Sequence, residues 1–268
     1  MQKFLRTLTL LAFLIVPWVM QGQNVSSYEY DQPVATAFTS ISSSGTLADL
    51  SNGSLEIDMN HAFALGESII PQGHAKLRIY RNGYVQVLNG TAERGELAPL
   101  SLNSGNLTGG SVYYRAQASV TTVEWRKVVA GTGNVLTFQL KVYDDYRVQF
   151  CYGPMGLNGS AATTQSYLSD GANYLSCTGG WDAFERSTSS DATRTLSATN
   201  HPTYTPTNAT SGMGMVYTFS RPDCRRPATL TTDVQGWNSI KVDWTLDAGD
   251  NVFTKFEIAY STQQDYVS

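Results

Sequence analysis

Three stretches in close succession alternate apolar and polar side chains with a period of two, a period that strands satisfy and helices do not. Residues 119–128 (SVTTVEWRKV) put Val123 and Trp125 on one face. Residues 135–143 (VLTFQLKVY) do the same with Leu136, Phe138, Leu140 and Val142, and residues 146–152 (YRVQFCY) with Tyr146, Val148, Phe150 and Tyr152. Asp144 and Asp145 separate the last two stretches, so these form a hairpin. Upstream, residues 76–88 (KLRIYRNGYVQVL) place an Asn82-Gly83 turn between two alternating runs, a second hairpin signal. Residues 112–116 add a strand, and residues 213–219 (MGMVYTF) read as a closing one. Consecutive antiparallel strands, each with one apolar face, predict an all-β fold, an antiparallel β-sandwich of jelly-roll-like type.

The rest of the chain is less regular. Short strands are expected near residues 37–41 and 55–57. Residues 153–210 are rich in Ser, Thr, Asn and Gly and read as a decorated loop or a set of short irregular strands. At the N-terminus, Lys3 and Arg6 precede an apolar run over residues 8–20 and a polar exit at residues 21–23, the pattern of a secretory signal peptide. The run is too short for a membrane span and contains Pro17. The expected organisation is a signal peptide over 1–22, a sandwich domain over 23–220, a linker over 221–226 and a partial second domain over 227–268. The mature chain is expected outside the cell or on its outer surface, with no membrane span. With a net charge of -4 and no basic run interleaved with aromatics, nucleic-acid binding is disfavoured.

The catalytic inventory is thin. His61, His74 and His201 are the only histidines, and surface or loop-capping roles are expected for them. Asp144 and Asp145, and the group Asp247, Asp250 and Asn251 around Gly249, read as turn chemistry, since calcium-loop spacing is absent. GTGNVL over residues 131–136 lies between strands and opens no helix, so phosphate binding is rejected. No catalytic residue, metal ligand or cofactor is assigned. Trp181, Phe184 and Tyr204 lie in polar, Gly-rich surroundings and are the candidate ligand-binding residues, as rings for stacking on a sugar or anchoring a partner; the competing reading is that they pin a long loop to the sandwich. Trp125 and Trp244 are expected in cores. By strand alternation Cys151 points away from the face holding Val148 and Phe150, and Cys177 lies in the segment that could cover it, so a Cys151–Cys177 disulfide is expected.

The succession NGYVQV, VYYRAQAS, TTVEWRKV, LTFQLKVYDDYRVQFCYG and VYTFSRPDC resembles the β-sandwich module at the front of many secreted, multidomain bacterial surface proteins. The tail PATLTTDVQGWNSIKVDWTLDAGDNVFTKFEIAYS resembles the first half of a fibronectin type III repeat, with Trp244 as the Trp of its second strand and Tyr260 as the Tyr of its third. The resemblance implies secretion, modular association and no particular reaction. It also implies that Cys224 pairs with a cysteine near the last strand of such a repeat, and hence that Cys224 is unpaired here. Phe256, Ile258 and Tyr260 would share a strand face with nothing opposite, so a fragment of a longer protein is expected. The expected function is non-catalytic adhesion or recognition of an extracellular glycan or protein. Alternatives are an accessory region of a secreted hydrolase whose catalytic domain is elsewhere, and a spacer.

Overall fold

The computed structural model describes residues 25, 28–66, 68–102, 107–177, 181, 184–187, 193–197, 200, 213–221, 229–234 and 240–245. The chain divides into two compact units, Met1–Arg221 and Pro222–Ser268.

In the first unit, β1 (Glu29–Ala37) and β2 (Thr46–Leu47) are followed by β3 (Ser54–Asp58) and a separate small hairpin of β4 (Phe63–Leu65) and β5 (Ser68–Ile70). Then come β6 (Ala75–Tyr80), β7 (Val85–Asn89), β8 (Ala92–Leu102), β9 (Ser111–Ala116), β10 (Val120–Ala130), β11 (Asn134–Tyr143), β12 (Val148–Tyr152) and β13 (Gly156–Leu157). The unit is completed by β14 (Ala162–Ser169), β15 (Tyr174–Cys177), β16 (Phe184–Ser187), β17 (Thr193–Leu196) and β18 (Met213–Ser220). One sheet runs β1-β18-β12-β11-β10-β9-β2 with β13 beside β11, and the other β16-β15-β14-β8-β7-β6-β3 with β17 beside β14. Every pairing is antiparallel, and one apolar cluster draws on both sheets, so the fold is an all-β sandwich.

Alternation builds the core in rows across the first sheet. Val112, Trp125, Phe138, Tyr152 and Met215 stand in register, as do Tyr114, Val123, Leu140, Phe150 and Tyr217. Both rows belong to the core cluster or pack on it. Two core aromatics also bridge the sheets with their polar tips: Trp125 Nε1 donates to the Tyr80 carbonyl (2.9 Å), and the Tyr152 hydroxyl donates to the Pro99 carbonyl and lies 3.0 Å from Ser166 Oγ. A buried indole N–H or phenol without such a partner would carry its full desolvation cost.

Two expectations need correction. The first strand is not near residues 37–41: β1 ends at Ala37, and residues 38–45 form a strap whose backbone bonds to side chains instead of to a neighbouring strand. Of the two readings of residues 153–210 the strands hold, since the described residues form β13 to β17, but β14 is no short irregular piece: it is an inner strand of the second sheet, paired with β8, β15 and β17. Its sequence, ATTQSYLS, hides this, since Thr164, Gln165, Ser166 and Ser169 are buried although polar.

In the second unit, β19 (Thr229–Val234) and β20 (Ile240–Thr245) pair antiparallel, with Leu230 opposite Trp244 and Thr232 opposite Val242. Residues 255–260, read as a further strand from sequence, lie outside the described residues.

The Asn82-Gly83 turn closes β6 onto β7, with Ile79 opposite Val85. Gly83 has φ +96°, and a Cβ there would run into the Leu100 carbonyl of β8. Gly83→Ala should therefore cost about 2 kcal/mol or more, read as a lowered urea midpoint at unchanged m-value; an unchanged midpoint would show that the turn relaxes freely.

Candidate functional site

The side of the first sheet facing away from the core carries the alternate rows. Tyr113, Glu124, Gln139, Cys151 and Val216 form one, and Arg115, Thr122, Lys141, Gln149 and Thr218 the next. Because β1 and β2 are opposite edges of this sheet, the connection between them, residues 38–45, crosses its outer face. The strap lies on the first row. Glu124, fully buried, accepts from Ser40 Oγ (2.7 Å), the Ile41 amide (2.6 Å) and Gln139 Nε2 (2.9 Å), and Gln139 Nε2 also donates to the Thr39 carbonyl (2.8 Å). Arg126 donates to Ser42 Oγ, and Arg115 Nη1 to Ser44 Oγ at 2.9 Å. Alternate serines of the segment SISSS thus each engage a charged side chain of the sheet.

Beside the strap, over the second row, opens a depression of about 170 Å³ lined by Ser40, Ser44, Arg115, Thr122, Lys141 and Tyr143, among others. Its two cations have no carboxylate within ion-pair distance among the described residues. Arg115 Nε is shut off from solvent and has no hydrogen-bond partner among them. The Tyr143 hydroxyl donates to Gln149 Oε1 (2.8 Å), and the Arg147 guanidinium sits 4.8 Å from the ring centre while bonding Asp145 at 2.7 Å. Burial holds the Tyr143 phenol above its ordinary pKa, with Cys151 acting in the same sense, so it stays a neutral donor. Such a surface of hydroxyls, one anchored cation and one cation free among the described residues suits binding of a polar or anionic group.

The residues singled out from sequence fall elsewhere. Trp181 is only 4% exposed and meets Tyr152 edge-on, with centroids 6.2 Å apart. Phe184 is half-buried and packs against Tyr30, Phe150, Tyr217 and Phe219. The stacking platform expected of these two is therefore corrected: β16 pairs with β15, Phe184 opposite Cys177, and both rings turn inward to pin this segment on the core. Tyr204 lies outside the described residues. No disulfide joins Cys151 and Cys177. Cys151 does face away from the core as expected, but Cys177 belongs to the core cluster between the sheets, so a whole sheet separates the two side chains. Cys224 is outside the described residues. Of the surface or loop-capping roles expected for the histidines, His61 is not at the surface: it is buried, with Nδ1 2.8 Å from the loop carbonyl of Ala62 and Nε2 3.2 Å from Thr121 Oγ1, whereas His74 is exposed. Asp145 caps its turn through the Arg147 amide, as turn chemistry requires.

Sequence reasoning missed Arg115, Lys141, Tyr143 and the Glu124 network. The available signal was a run of polar residues opposite the apolar face, Thr122, Glu124 and Arg126 on β10 and Thr137, Gln139 and Lys141 on β11. Among the described residues no three His, Cys, Asp or Glu side chains are grouped as metal ligands, and no helix is long and apolar enough to cross a membrane. Comparison with family models, curated proteins and solved structures finds no match to this chain.

Two outcomes test this arrangement. Glu124→Ala leaves the buried Ile41 amide without its acceptor and strips Gln139 Nε2 of one of its two, which should cost about 3 kcal/mol. Urea denaturation reads that loss, and limited proteolysis should cut first within residues 38–45. The second outcome concerns alkali. Burial pushes the Cys151 thiol from 9.0 up to about 11, against an opposing pull from Lys141. A pKa raised by folding stabilises fully below the unfolded value and is lost as pH rises through the folded one. Stability should hold up to about pH 9 and fall by on the order of 2 kcal/mol towards pH 11, with Cys151→Ala removing the first part of that slope in pH-dependent denaturation curves.

Proposed function

We propose that the chain is a secreted, non-catalytic surface protein that recognises an extracellular glycan or protein partner, with the sandwich as the binding module and a fibronectin type III-like unit after it. The observation that carries this reading is the depression beside the strap, where Arg115 and Lys141 stand without carboxylate partners among the described residues. What sets Arg115 and Lys141 apart from Arg78, paired with Glu56 at 2.6 Å, and Arg147, paired with Asp145, is that both line one depression with Thr122 between them in the ladder. Secretion is supported by the charged, apolar and polar succession over residues 1–23. The modular reading is supported by the likeness of residues 227–268 to the opening of a fibronectin type III repeat.

The test joins localisation to binding. Expressed in a secreting bacterial host, the chain should appear outside the inner membrane with an N-terminus near Gln23, and the purified protein should bind on arrays of glycans and extracellular proteins without altering what it binds. Retention in the cytoplasm with an intact N-terminus, or turnover of an arrayed ligand, would defeat the reading.

A further inference from the structure

We infer that the depression between the strap and the second outer row binds the anionic group of an acidic polysaccharide, a sugar carboxylate or sulfate held between Arg115 and Lys141 over Thr122. This deepens the recognition reading and rests on it for the claim that the ligand is extracellular.

The ladder sets the geometry. Arg115 is opposite Thr122, and Thr122 is opposite Lys141, so all three stand on one face across adjacent strands. At about 4.8 Å per strand the two cationic stems rise roughly 10 Å apart, a gap that one tetrahedral or planar oxyanion spans with a hydrogen bond to each side. The Arg115 guanidinium is held in place before any ligand arrives, because the strap fixes Nη1 through Ser44. Preorganisation of this kind lowers the ordering cost of binding. Its buried Nε lacks a partner among the described residues, a group that ordinarily finds one. Glu124, the acid between the same strands, does not cancel the cations at the surface by direct pairing, since it lies under Ser40 and Ile41 with its oxygens committed to three donors. The Lys141 side chain makes no hydrogen bond or ion pair within the described residues, which leaves its ammonium available.

A sugar fits better than an acidic peptide for two reasons. The walls supply hydroxyls of both senses besides Ser40, whose proton goes to Glu124: Ser44 Oγ accepts from Arg115 and has its own proton to give, the Tyr143 oxygen can accept while its proton bonds Gln149, and Thr39 adds a third hydroxyl, a mix that suits a polyol ring. The depression, about 170 Å³, has room for roughly one such ring and not for an extended strand.

The experiment is calorimetric titration of the purified full chain with four probes at low salt: oligogalacturonate, a chondroitin sulfate oligosaccharide, a neutral galactose oligomer and an oligoaspartate peptide. At least one acidic sugar should bind about tenfold or more tighter than the neutral one, the return expected of one charge-assisted hydrogen-bond pair. Which acidic sugar binds tells carboxylate from sulfate. Arg115→Gln and Lys141→Gln should each weaken that binding about tenfold, with Arg115→Lys falling between. The thermal transition of each variant reports folding, and Lys141→Gln removes no bond seen among the described residues, so the test survives if the Arg115 variants fold poorly. Equal affinity for acidic and neutral sugars, undiminished binding by Lys141→Gln, or oligoaspartate binding as tightly as the sugars would overturn the inference while leaving recognition of some other ligand intact. Acidic-sugar binding that needs both cations, in a chain found to stay in the cytoplasm, would uphold the site and sink the extracellular reading.

Discussion

A carboxyl group taken out of water has to be met by donors, and Glu124 is met by three: a serine hydroxyl, a backbone amide and a glutamine side chain. Much of the first sheet's outer face is organised by that requirement. Two of the donors belong to residues 38–45, so satisfying the acid and laying the strap across the sheet are one event. Once laid, the strap buries Ile41 and brings its serines to Arg126 and Arg115. A face that would otherwise be solvated on every alternate residue becomes a second, polar interior.

The two interiors divide labour. Between the sheets, aromatic rings fill volume, and the tips of Trp125 and Tyr152 fix the sheets against each other through backbone carbonyls of the opposite sheet. Nondirectional apolar contact would tolerate sliding; these bonds do not. Under the strap, by contrast, the packing is short-range and directional, and it ends at an edge where side chains still reach water. The depression lies at that edge. Its position follows from the strap covering one row of the ladder and leaving the next.

Legibility in the sequence follows this division. Strands β6, β7, β9 to β12 and β18 were readable because each concentrates its large apolar residues on one face, so Leu136, Phe138, Leu140 and Val142 announce both the strand and its inner side. β14 was not readable: Ser166 and Thr164 look like solvent-facing residues, and nothing local says that a tyrosine hydroxyl from another sheet waits for one of them. Trp181 and Phe184 misled for the reverse reason, apolar rings amid polar neighbours, with the pairing of β15 and β16 that turns them inward set by tertiary context. The candidate site was hidden altogether. Its residues come from three strands and a connection, 71 positions separating Ser44 from Arg115, and their meeting depends on a crossing that no spacing rule encodes.

The pairing of β1 with β18 sets a timetable. Glu29 lies opposite Ser220 and Ala37 opposite Met213, so the strand made early in synthesis finds its partner only after most of the unit has been made. Contacts of such sequence separation form late, because the intervening loop must close before they repay its entropy. Until then the free edge of β12 stands exposed, a template for pairing with another chain. A nascent chain of this kind is a client for whatever keeps unfolded polypeptide apart, and the strap, anchored by β1 at one end, is among the last parts to settle.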